Sequence, residues 1–67
     1  MNIILNGENR TIKAGQTLAG LVKTLPAKKK QRIAVLLNDD LIPADKQASH
    51  ILKQGDRVEI LTFAGGG

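Results

Sequence analysis

Apolar residues come in short groups along this chain, and each group has its own period. Met1 to Leu5 is apolar and rich in β-formers, and it closes on Asn6-Gly7. Both of those residues tolerate the positive φ of a tight primed turn, so the pair predicts a β-hairpin with Glu8 to Lys13 as the return strand. Ala14-Gly15 breaks that strand. Leu18, Leu21, Val22 and Leu25 then recur on one helical face, with Thr17 in front as an N-cap and Pro26 behind as a stop. Such a helix is about two turns long and is not stable alone, so it must lie on a sheet. Lys28-Lys29-Lys30-Gln31-Arg32 is a basic connector. Ile33 to Leu37 predicts a strand with apolar residues on both faces, and Asn38-Asp39-Asp40 a turn. Leu41-Ile42 predicts a short strand, Pro43 to Gln47 one helical turn started by the proline, and Ile51-Leu52 a small apolar anchor. Gln54-Gly55-Asp56 is a further turn. Arg57 to Phe63 is the last strand, with Val58 and Ile60 alternating against Glu59 and Leu61.

Hairpin, helix, strand, irregular crossing and strand bury the helical stripe most simply when the helix crosses one face of a sheet. The last strand can pair parallel to the first, because a long crossover separates them. The expected architecture is α+β: a ubiquitin-like β-grasp with a mixed four- to five-stranded sheet and one main helix on one face. Residues 1–63 form the domain and 64–67 a flexible glycine tail. Ile3, Leu5, Val58 and Ile60 should face the helix. Ile4, Leu61 and Leu36 should point away from it, and an apolar cluster on the open side of a sheet suggests a partner-binding surface.

Composition narrows the function classes. The 67 residues make one small domain, which hides only roughly 60 % of its unfolded surface and has no room for a deep active site. Without cysteine there are no disulfides, thiol nucleophiles or cysteine-based metal centres. His50 has no second histidine to share a metal. The longest apolar run, Ile33 to Leu37, is too short to span a membrane, and the N-terminus does not have the pattern of a signal peptide, so a cytoplasmic protein is expected. The net charge is +4, but with one Phe and no Trp or Tyr the chain cannot build a base-stacking platform for nucleic acid.

The triple glycine Gly65-Gly66-Gly67 carries the chemistry. Lacking Cβ atoms, such a tail is thin enough to thread a narrow channel in a partner, presenting the Gly67 carboxylate without steric cover. A carboxylate is a poor electrophile; joined to AMP it becomes an acyl adenylate that a nucleophile can attack. Sulfur attack leads on to a thiocarboxylate. Ordering the tail costs on the order of 1–2 kcal/mol per residue, so binding energy must come from elsewhere, and the apolar face formed with Ile4, Leu61 and Phe63 is the source nearest the tail.

Gly55-Asp56-Arg57 through Gly65-Gly66-Gly67 resembles the end of the thiamin-biosynthesis sulfur carriers of the ThiS type. Ala14-Gly15-Gln16-Thr17-Leu18 matches the entry to their helix, and Val35-Leu36-Leu37-Asn38 and Pro43 match their third strand and following turn. The resemblance covers essentially the whole chain. It implies a protein cosubstrate and not an enzyme, with no bound cofactor. A ubiquitin-activating-type, ThiF-like adenylyltransferase would spend ATP on Gly67, a cysteine desulfurase would supply sulfur, and a ThiG-like thiazole synthase would receive it. The small subunits of molybdopterin synthase share the fold and tail, but they tend to carry a proline before the glycines where this chain has Leu61-Thr62-Phe63-Ala64. A ubiquitin-like modifier would use the same tail on lysines. A plain β-grasp binding module would instead rely on the basic connector, which otherwise reads as a solvated segment beyond a helix end. Asp39-Asp40 reads as turn chemistry and not as a catalytic carboxylate pair.

Overall fold

The computed structural model describes residues 1–25 and 32–63. The hairpin forms where Asn-Gly places it: β1 (Asn2–Leu5) and β2 (Glu8–Thr11) pair antiparallel with Leu5 opposite Glu8, and Asn6 and Gly7 take φ of 49° and 83°. The return strand is two residues shorter than expected, though Ile12 N–H still donates to the Met1 carbonyl. β3 (Arg32–Leu37) and β4 (Asp40–Leu41) form a second hairpin, turned by Asn38 and Asp39 at φ of 50° and 73°. Arg32 thus opens a strand and is not the end of the connector. β5 (Arg57–Phe63) lies between the hairpins, antiparallel to β3 and parallel to β1, giving the order β2-β1-β5-β3-β4. The sheet is the mixed five-stranded β-grasp sheet that the element order predicts.

Helix α1 (Leu18–Lys23) is capped by Thr17, whose hydroxyl accepts the Gly20 N–H at 3.1 Å. It stops two residues earlier than the apolar period suggests. The Thr24 hydroxyl donates to the Leu21 carbonyl at 2.6 Å, and the Thr24 and Leu25 amides bond three residues back, which tightens and closes the last turn. Leu25 packs against the core from outside the helix. Helix α2 (Ala44–Gln47) is the expected single turn, with Pro43 one position earlier than a first helical residue, at the N-cap.

The core lies between α1 and one face of the sheet. Ile3, Leu18 and Val58 are wholly buried, and Leu5, Leu21, Val35, Leu37 and Leu52 nearly so. Ile60 packs against this cluster half-buried, as its alternation with Glu59 and Leu61 requires. Of the expected anchor, Leu52 belongs to the core while Ile51 is 59 % exposed. The backbone there is extended and bridges Thr17, and neighbouring residues of an extended chain point to opposite sides. That segment is tied to the helix entry by Leu18 N–H to the His50 carbonyl and Leu52 N–H to the Gln16 carbonyl, both 2.8 Å. Buried Gln47 is satisfied through its Nε2, which donates to the Ile42 carbonyl at 3.0 Å.

Candidate functional site

The site is built around β5, the strand that runs into the glycine segment. Its first residues are pinned to the turn between β3 and β4. The Asn38 side chain accepts the Arg57 N–H at 2.9 Å and donates to Asp56 Oδ1 at 3.1 Å. The other Asp56 oxygen accepts the Lys53 N–H at 2.8 Å, closing the turn at Gly55, where φ is 86°. Arg57 reaches back to Asp39 at 2.9 Å in an exposed ion pair. Asp39 is a turn residue, as the sequence suggests, but Asp40 pairs with Leu37 and opens β4, so the short strand lies one residue earlier than the expected Leu41-Ile42. At mid-strand, Asn6 from the first hairpin holds β5 from the other side: its N–H donates to the Val58 carbonyl at 2.9 Å, and its Oδ1 accepts the Ile60 N–H at 2.8 Å.

Residues paired across a sheet share a face. Leu5 pairs with Val58 and Val35 with Ile60 on the core side, so Ile4, Ala34, Leu36, Leu61 and Leu41 fall on the open side. Leu61 is 44 % and Leu41 63 % exposed, while Ile4 and Leu36 are half-buried. The sequence reading of Ile4, Leu36 and Leu61 as outward-facing is met. Leu41 is not marked by the sequence pattern, and only the register that sets it opposite Leu36 brings it into the patch. A shallow depression lined by Ile4, Asn6, Gly7, Arg57 and Glu59 lies beside this face, open to solvent. The side chain of Phe63, and Gly65, Gly66 and Gly67, lie outside the described residues, as do Lys28, Lys29 and Lys30 of the basic connector.

Among the described residues no group of three or more His, Cys, Asp or Glu side chains is placed to hold a metal ion. No described helix is long and apolar enough to cross a membrane.

Comparison with known proteins places this geometry. The model of the ThiS family matches residues 3–67, from the first strand through the glycine run. The chain belongs to the ThiS family. The crystal structure of a ThiS thiamine biosynthesis protein from Geobacter metallireducens superposes with a TM-score of 0.81 at 27 % identity, covering all of both chains. The sulfur carrier protein ThiS of Escherichia coli is 28 % identical over 67 residues, again the whole of both chains. A thiazole synthase of Paramagnetospirillum magneticum is 33 % identical over the same 67 residues, and there the ThiS-family chain spans only 20 % of its relative's length. The β-grasp fold and the family resemblance drawn from Gly55-Asp56 to Gly67 agree with these relatives.

Proposed function

We propose that this chain carries sulfur as a thiocarboxylate on Gly67 and delivers it to a thiazole synthase. The broad role, a ThiS sulfur carrier in thiamine biosynthesis, follows from family membership. The observation that carries the finer reading is that the family match extends past β5 to include Gly65-Gly66-Gly67.

The chemistry follows from the carboxylate. One Gly67 oxygen attacks the α-phosphorus of ATP on a partner adenylyltransferase of the ubiquitin-activating type, and pyrophosphate leaves. A persulfide sulfur, drawn from a cysteine desulfurase, attacks the acyl carbon and AMP leaves. A thiol then cleaves the S–S bond of the acyl disulfide and frees the thiocarboxylate, whose sulfur passes to the acceptor. Every catalytic group belongs to a partner, so the chain needs neither a cysteine nor a bound cofactor. Its own part is to dock and to present the tail. The open apolar face of Ile4, Leu36, Leu41 and Leu61 supplies the docking energy. Full-length alignment of the chain with a fifth of a thiazole synthase supports that enzyme class as the acceptor.

Removing Gly67 tests this reading. The shortened chain should fold as before and accept neither AMP nor sulfur. Thiazole formation that survives the deletion contradicts it.

A further inference from the structure

The parallel ladder between β1 and β5 ends at Leu5 and Val58. β1 leaves the sheet there because Asn6 and Gly7 turn it back into β2, while β5 continues to Phe63. One rung lies past the end of the ladder, and a side chain makes it: Asn6 Oδ1 accepts the Ile60 N–H at 2.8 Å, across 54 residues of sequence. On its other flank β5 is paired with β3 as far as Arg32 and Phe63. Ile60 is thus the last residue at which β5 is held along both edges by described residues.

We propose that Asn6 is a positioning residue for the reaction at Gly67: by locking the Ile60 rung it fixes the direction in which β5 delivers the glycine segment to a partner's active site. The inference rests on the reading of Gly67 as the reacting carboxylate. Its physical basis is leverage. Without the rung, β5 beyond Val58 is held by β3 alone and can swing about that one line of bonds. A tail that must enter a narrow channel in one orientation then spends less time in the productive pose. The residue type fits both tasks asked of this position. The turn requires φ of 49°, which Asn, Asp and Gly accept readily, and the rung requires a short side-chain acceptor, which Gly lacks.

That difference supplies the test. Asn6→Gly keeps the turn and removes the acceptor, whereas Asn6→Asp keeps both. Each variant and the unaltered chain are assayed for ATP-dependent adenylation by a ThiF-like enzyme first verified on the E. coli relative, and amide hydrogen exchange is followed at Ile60. The Asn6→Gly chain should fold, with Ile3 and Val58 amides still protected, and its Ile60 amide should exchange about tenfold or more faster. Its kcat should fall roughly fivefold to tenfold, the factor one ordinary hydrogen bond represents, with KM changed by less than about twofold. Asn6→Asp should restore kcat. The proposal is overturned if Asn6→Gly keeps full kcat while Ile60 is deprotected, if only KM rises, or if Asn6→Asp is as impaired as Asn6→Gly. An unaltered chain that is never adenylated removes the Gly67 reading and this proposal with it, a result distinct from a variant that matches an active parent.

Discussion

The Asn38 amide donates to Asp56 Oδ1 at 3.1 Å while its own oxygen accepts the Arg57 N–H, so one side chain ties the turn between β3 and β4 to the start of β5. Asn38 also carries the positive φ of its turn. Asn38→Gly keeps the backbone and loses both bonds, at a cost of about 1–2 kcal/mol, and Asn38→Ala adds about 1 kcal/mol of left-handed strain. Urea unfolding should rank the parent above Gly and Gly above Ala, with unchanged m-values. The neighbouring Asp39–Arg57 pair is exposed, so Asp39→Asn should move stability by less than about 0.5 kcal/mol.

Thr17 and Gly20 form one capping unit. Thr17→Ala should cost about 1 kcal/mol. A glycine inside a helix normally offers up to about 1 kcal/mol on replacement by alanine. Here an added Cβ would stand 3.0 Å from Gln16 Nε2 and 3.2 Å from Thr17 Oγ1, crowding the cap itself. Gly20→Ala should therefore bring no gain, and a clear rise in thermal midpoint would show that the cap yields without cost.

Ile51 and Leu52 are adjacent and opposite in their surroundings. Leu52→Ala opens the core and should cost about 2–5 kcal/mol. Ile51→Ala should stay within about 0.5 kcal/mol of the parent, because its side chain is already largely in water.

The open face separates folding from function. Leu61→Asp and Leu41→Asp place charges on an exposed surface and should leave the unfolding midpoint nearly unchanged. Each should lower the rate of adenylation at Gly67 by about tenfold or more, because a carboxylate forced into an apolar contact costs more than 1.4 kcal/mol. Wild-type rates in both would remove this face as the docking surface.

The sequence makes those features legible that a few neighbouring residues decide. Asn6-Gly7 and Gly55-Asp56 set their turns by local backbone preference, and the alternation from Val58 to Leu61 assigns two faces of a strand. The family signal in the tail is equally local. What the sequence does not expose depends on partners distant in the chain or on a single competing bond. The hydroxyl of Thr24 ends α1 before the apolar period does. The exposure of Ile51 follows from its bridge to Thr17, and Leu41 joins the open face only through its register with Leu36. Asn6 reads as a turn residue in sequence, and only the fold brings its side chain to Ile60.

The central claim is tested most directly by the intact mass of the chain after incubation with ATP, a ThiF-like adenylyltransferase and a persulfide sulfur source. The account predicts a gain equal to one oxygen replaced by one sulfur, localised to Gly67 by fragmentation and absent when Gly67 is deleted. A chain that keeps its unmodified mass while the E. coli relative is converted in the same mixture would contradict it.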